Sequence, residues 1–426
     1  MLSRQCVFLT GVEDERLFTY AIDRSTGATL WRREAPRPRR TRFHPKNHAA
    51  AASPAVDGDS VVVFFDEYGL LAYDHEGQER WRLPLGPFDN VYGMGASPII
   101  VGDVVVLACD QSTASFVLGV SKRTGEVRWR INRPQAVSGH CTPVVHRTAD
   151  GRDQVLLPGS YLLDAYDAAT GERLWWVRGL PGEMKSVPVL LGDTLWTHGF
   201  ASPLNNLGNQ IEYPPFESAL ETMDSDKDGR ISENEIPDKR VQQLFVFFDP
   251  DGDGFLDEAE WEGTRASLAS VNSAMAIRVG GKGDRTADAV QWRYHRSIPQ
   301  LPSPLVYEGV YYLLGDQGGL LTALSAGTGE PLERSRLEDA VDSYYAAPVA
   351  GGGHIYLLSE SGILSVLSAG GSLDPIHTVE FDDPCYATPA LEDGRIWLRT
   401  QSRLYCFGAR QTNTMPGLAP PPSNYP

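Results

Sequence analysis

Short apolar runs separated by polar turns recur along the chain with a period of 46–50 residues. Each unit opens at an X-Pro step followed by an apolar run, with Ser, Thr or Val before Pro54, Pro98, Pro143, Pro188, Pro304 and Pro389 and Ala before Pro348. A Gly-Asp type turn leads to a second apolar run, and a third ends in Asp/Ser-x-x-x-Gly. The glycines of that last turn are Gly27, Gly77, Gly125 and Gly171, and each precedes a tryptophan by four residues: Trp31, Trp81, Trp129 and Trp175. Gly329 holds the same place later, with Glu333 where the tryptophan would be. Continuous runs such as Val61–Phe65 and Tyr311–Leu314, bounded by turn residues, predict buried strands rather than helices.

Four strands in 40–50 residues predict a β-propeller blade. The pattern places blades near 1–33, 53–85, 97–131, 142–178, 187–297, 303–337, 347–381 and 388–407. The expected fold is all-β, an eight-bladed propeller (seven being the alternative count) with a small α-helical insertion. The first blade lacks an inner strand and the last an outer one, and these two are expected to complete each other and close the ring.

The insertion carries the most explicit chemistry. Thr194–Gly199 and Ser273–Arg278 read as the second and third strands of blade 5, so residues 201–272 replace the turn between them. The expected organisation is 1–200 for four blades and the start of the fifth, then the insertion, then 273–410 for the rest, then a disordered tail over 411–426. Asp224–Glu235 and Asp249–Glu260 are two twelve-residue EF-hand calcium loops in tandem. Expected ligands in the first are Asp224, Asp226, Asp228, the Arg230 carbonyl, Ser232 and bidentate Glu235. Those in the second are Asp249, Asp251, Asp253, the Phe255 carbonyl, Asp257 and Glu260. Gly229 and Gly254 supply the sharp turn, and Ile231 and Leu256 are placed to pair between the loops. Helices are expected over 216–223 and 238–248, with Leu244, Phe245 and Phe248 on one face. Pro237 leaves no room for a full helix after the first loop. Two bound Ca²⁺ are predicted, with a structural role favoured over a switch. By topology the insertion lies over the mouth of the central channel or beside it.

The unit Ala165–Trp175 resembles the repeat of quinoprotein-type propellers, found in pyrroloquinoline-quinone dehydrogenases and BamB-like outer-membrane assembly lipoproteins. The resemblance covers nearly everything outside 201–272. It implies an exported protein, although the chain shows no signal peptide. A quinone dehydrogenase of this kind has a disulfide between neighbouring cysteines, and no two cysteines are adjacent here. CxxCH, Gly-x-Ser-x-Gly and HExxH are missing as well, so bound pyrroloquinoline quinone, covalent haem and hydrolase chemistry are not expected. The favoured role is a non-catalytic binding scaffold for a protein or polysaccharide. A channel-face oxidoreductase of the quinone type is the alternative.

Charge sharpens this picture. The formal net charge is −17, and residues 212–263 alone carry −12, so the acidity belongs to the calcium segment. Bound calcium would reduce that to about −8. Nucleic acid is excluded as a partner because this segment would repel phosphates. The linker Arg32–Lys46 is net +6 and offers a seat to an anionic partner or to the acidic insertion, unless it is simply a solvated loop. The five scattered cysteines give no disulfide framework, though a closed ring would bring Cys6 and Cys406 near each other. No apolar run is long enough to span a bilayer, and a monomer is expected. Segments preceding the inner strands should ring the channel mouth: Asn47-His48, Asn90–Met94, Gly139–Cys141, Glu183–Lys185, Asp342–Tyr345 and Asp383–Tyr386.

Overall fold

The computed structural model describes residues 1–137, 139–337 and 341–408. The tail expected to be disordered over 411–426 lies outside the described residues. Eight mainly antiparallel sheets form an eight-bladed β-propeller, which settles the count against seven. In blade 2 the strands Ala55–Val56, Val61–Phe65, Gly69–Tyr73 and Glu79–Pro84 pair in order from the axis outward. The two middle strands are buried at every position because both faces of the blade are covered by neighbours, which is why they read as unbroken apolar runs. In the outer strand Trp81 alone is fully buried, so its sequence alternates.

The core is a ring of interfaces between blades. Phe8 and Trp31 of blade 1 pack with Val61, Phe65 and Tyr73 of blade 2. The opposite face of blade 2, with Phe64 and Leu70, packs on Val105 and Phe116 of blade 3. The alternation continues to Leu358 of blade 7 and Leu398 of blade 8.

The repeated tryptophans lock these interfaces, each on the glycine turn of the blade after its own. A Cβ on Gly77, Gly125 or Gly171 would lie 2.6–2.7 Å from the ring of Trp31, Trp81 or Trp129 respectively. The indole N–H donates to the carbonyl of His75, Lys122 or Ala168 in the same turn. Trp292 of blade 5 docks on Gly329 in the same manner and donates to Ala326. It escaped the sequence pattern because Asp288 stands four residues before it, where the other copies have glycine. Trp175 breaks the series, donating to Gln154 within its own blade. Beside it Gly283–Asp284 of the long blade-5 turn adds a parallel bridge to Arg173–Arg178.

Blades 1 and 8 are three-stranded and remain separate sheets, so they do not complete each other by sharing a strand. Residues 1–3 fold back along Cys6–Glu13 instead, with Leu2 bridged to Val7 and the Met1 ammonium donating to Phe8. Thr10 of the same strand donates to the carbonyls of Ala50 and Ala52. The seam is then closed by polar contacts: Arg24 pairs with Glu392 at 2.5 Å and lies 5.4 Å from the Trp397 ring. Cys6 and Cys406 form no bond, since all five cysteines are free.

The strand Thr194–Gly199 pairs with Ser273–Arg278, and the segment between them has its own small core. Its helices are α1 Phe216–Thr222, α2 Lys239–Gln242, α3 Phe245–Phe248 and α4 Glu258–Ala269. The helix expected over 238–248 is broken at Gln243-Leu244, where Leu244 leaves helical geometry at ψ 4°. Helix α4 carries Trp261, which is fully buried, stacked on Tyr213 and bonded to the Pro214 carbonyl. The base of the segment is tied to the propeller by Asn272, whose side chain accepts from Ala201 N–H and donates to Ser202. Among the described residues no helix is long and apolar enough to cross a membrane.

Candidate functional site

The two twelve-residue loops fold almost bond for bond alike. The first aspartate, Asp224 or Asp249, accepts from the N–H groups of positions 4, 5 and 6: Lys227, Asp228 and Gly229 in one loop, Gly252, Asp253 and Gly254 in the other. The distances are 2.6, 3.2 and 2.9 Å in the first and 2.8, 3.2 and 2.9 Å in the second. Asp226 and Asp251 accept from the residues two places on, as do Asp228 and Asp253. Such nesting needs a left-handed residue at position 6, which Gly229 (φ 83°) and Gly254 (φ 89°) provide without the Cβ penalty. Between the loops Ile231 pairs with Leu256 and Ser232 with Phe255 in a two-stranded sheet, and Arg230 immediately precedes the first of these strands.

The loop ends hold the acidic side chains in place. Ser232 and Glu235 form a reciprocal cap, with Ser232 Oγ donating to Glu235 at 2.8 Å; Asp257 and Glu260 form the same device at the start of α4. Burial works to raise the Glu235 carboxyl, but hydrogen bonds from Ser232 and Ser225 prevail and bring it down to about 2. Glu260 lacks that set of donors. Burial, then the nearby charges of Asp257, Asp251 and Asp249, lift it to about 7.

Carboxylate oxygens of Asp224, Asp226 and Glu235 lie within 4.8 Å of one another, and so do those of Asp249, Asp251 and Asp253. An all-oxygen donor set at this spacing fits a hard divalent cation such as calcium. The first loop gathers three of its four expected side-chain carboxylates and the second three of its five. Asp257 and Glu260 stand outside the second group, held in the helix cap. Asp228 stands outside the other, 3.5 Å from the Arg230 guanidinium. That guanidinium also pairs with Asp253 at 3.1 Å and lies over the Phe255 ring at 3.6 Å. Sequence reasoning assigned Arg230 only a carbonyl, but its side chain ties position 5 of one loop to position 5 of the other.

The channel-face segments divide in the structure. Tyr92 meets the rings of His44 and His140 at 5.3 and 5.7 Å, and the Lys185 ammonium lies 4.6 Å from its ring. Lys185, only 7% exposed, pairs with Glu183 at 2.5 Å. Burial, reinforced by Lys185, lowers the His140 imidazole to about 3, so it is neutral. Farther round the ring Tyr345 stacks on Tyr386, and Lys46 reaches the Tyr345 ring at 5.5 Å. The remaining expected residues build the scaffold. Asn90 is bonded to Asp110 and Tyr92 backbone, and His48 Nδ1 accepts from Ala50 N–H. Met94, Cys141 and Met184 are buried, and Asp342 and Asp383 accept from Ser361 and Ser402 in the turns of blades 7 and 8. Asn47 donates to the Tyr92 carbonyl.

The basic linker is neither a free loop nor a seat for the insertion. Arg37 pairs with buried Glu67, Arg39 donates to the Asp66 and Leu85 carbonyls, and Arg40 lies 3.8 Å from Glu15. Among the described residues no ion pair joins this linker to residues 212–263.

An eight-bladed ring locked by tryptophan on glycine is similar in fold to quinoprotein-type β-propellers built of PQQ-like, BamB-like repeats. Residues 6–204 match the family model described as outer membrane protein assembly factor BamB. No curated protein matches the sequence. Among solved structures, BamB from Moraxella catarrhalis aligns over 95% of this chain and 98% of its own, with TM-score 0.58 and 13% identity. The europium-containing methanol dehydrogenase aligns over 93% and 81%, with TM-score 0.57 and 9% identity. The computationally designed Ika8 protein aligns over 96% and 98%, with TM-score 0.52 and 9% identity. At these identities the likeness is one of fold.

Proposed function

We propose that this chain is an exported, non-catalytic binding scaffold: a rigid propeller that presents its linker face to a partner protein, with two calcium ions ordering the 201–272 lobe. The observation that carries the calcium reading is the matched nesting of the two loops, which gathers three carboxylates within 4.8 Å in each. In the first loop Asp224, Asp226 and Glu235 would hold the ion, with Asp228, Ser232 and the Arg230 carbonyl completing the shell. In the second Asp249, Asp251 and Asp253 would hold it, with Asp257, Glu260 and the Phe255 carbonyl. Bound calcium would supply charge neutralisation among these clustered carboxylates. A protein partner is favoured over a polysaccharide by the likeness to an assembly factor.

Calorimetric titration of the metal-stripped chain with Ca²⁺ tests this reading. Saturable binding at two sites, reduced to one by Asp249→Asn, is expected, and EGTA should lower helix signal while leaving the main sheet transition in place. No saturation at millimolar metal would sink the calcium assignment.

The quinone-type oxidoreductase stays as a second reading because Lys185, Glu183, Tyr92 and His140 converge at the channel mouth. Absorbance spectra with and without added quinone and calcium separate the two. A quinone band retained through gel filtration would favour the enzyme.

A further inference from the structure

Where the 201–272 segment leaves blade 5, its first residues form one wall of an open cleft of about 780 Å³. The end of the outer strand of blade 5 and the outer strand of blade 6 form the others. Arg293, Arg296 and Arg334 line this cleft and no acidic residue does; the Arg293 side chain lies on the blade-4 face of its sheet, opposite Met275 and bonded to Gly179, so Arg296 and Arg334 supply the cleft's cations. In a chain of net charge −17 that is a concentrated patch of the minority sign.

The local bonds leave these cations unneutralised. Arg334 donates to Ser297 Oγ at 2.7 Å. Among the described residues Arg296 has no hydrogen bond or ion pair, and neither arginine pairs with a carboxylate. His295 also lines the cleft. Its Nδ1 lies 3.1 Å from the Asn272 carbonyl, which can only accept, so Nδ1 carries the proton. The apolar part of the wall comes from Phe200, Leu207 and Ile298, with Leu207 64% exposed.

We propose that this cleft binds a small organic phosphate. The planar guanidinium fork matches phosphate oxygens two at a time, and a dianion answers two uncompensated cations better than a carboxylate does. The volume falls within the range of small-molecule sites, about 300–1,000 Å³. Arg296 and Arg334 take the phosphate group, while the apolar wall takes the body of the ligand. The site is independent of the calcium reading, since none of its lining residues is a proposed calcium ligand.

Calorimetric titration of the full chain with phenylphosphonate, in calcium-containing buffer, tests the proposal, with benzoate and inorganic sulfate as separate arms. Phenylphosphonate should bind saturably and at least about tenfold more tightly than benzoate, the effect of roughly one charge-assisted contact. It should also bind more tightly than sulfate, which has no apolar body. The double variant Arg296→Gln/Arg334→Gln should lose at least about tenfold in affinity with little change in melting temperature, because Arg296 holds nothing else and Arg334 only an exposed hydroxyl. No saturation at millimolar phenylphosphonate, affinity indifferent to the double variant, or benzoate or sulfate binding equally well would overturn it.

Discussion

The indole of Trp31 lies against the turn at Gly77, forty-six residues on and one blade away, so closely that a Cβ there would approach the ring to 2.6 Å. The tryptophan four residues after a glycine therefore belongs to that glycine's strand but not to its contact. Each indole reaches forward to the next blade, and the repeat propagates around the ring as a series of such locks.

Gly125→Ala tests the lock, since Gly125 sits under Trp81 at φ 74°. The left-handed conformation should cost about 1–2 kcal/mol and the displaced indole about 1–3 kcal/mol more. Gly102→Ala, at φ 56° with nothing within 4 Å of its Cβ, carries the first cost alone. Urea titration of both variants should show the larger loss at Gly125, and equal losses would refute the packing role of the indole.

The seam between blades 8 and 1 depends on Arg24. Its side chain is 10% exposed, whereas that of Glu392 is 40% exposed. Removing Arg24 breaks the pair with Glu392, the bond to the Ser3 carbonyl and the contact with Trp397 together. Arg24→Ala should cost about 1–3 kcal/mol, and Glu392→Ala under about 1 kcal/mol because water already screens that carboxylate. Limited proteolysis of Arg24→Ala should cut first in blades 1 or 8; first cuts elsewhere would argue against this seam.

Arg230 should matter most without metal. With no calcium its guanidinium is the cation near Asp228 and Asp253, although at 41% exposure the pairing contributes only up to about 1 kcal/mol. Arg230→Ala should lower the thermal midpoint of the lobe in EGTA, and the difference should shrink at saturating Ca²⁺. A deficit of the same size in both conditions would show that Arg230 acts by packing on Phe255 instead.

His198 predicts an acid-dependent loss of stability. It is wholly buried, and burial holds its imidazole down at about 3 against the Pro302 backbone, which favours the charged ring. Below the unfolded value of about 6.5 the unfolded chain takes a proton that the folded chain refuses. The contribution of neutral His198 is therefore present above that pH and lost as pH falls toward 3. Thermal midpoints of wild type and His198→Asn, compared across this window, should converge on acidification; parallel curves would contradict it.

Much of this protein was legible along one dimension. Strand positions, the blade period, the turn glycines and the twelve-residue acidic loops follow from local rules: period-two burial, left-handed turns, ligand spacing. What tertiary structure alone decided are the pairings that ring closure makes. Trp292 took its place in the lock series without the expected glycine, and blades 1 and 8 met through Arg24 rather than a shared strand. The linker arginines turned inward to Glu67 and the Asp66 carbonyl. Arg296 and Arg334, thirty-eight residues apart, came to line one cleft. Such contacts leave no periodic trace, because they depend on which blade stands beside which, and that is set by the curvature of the assembled ring.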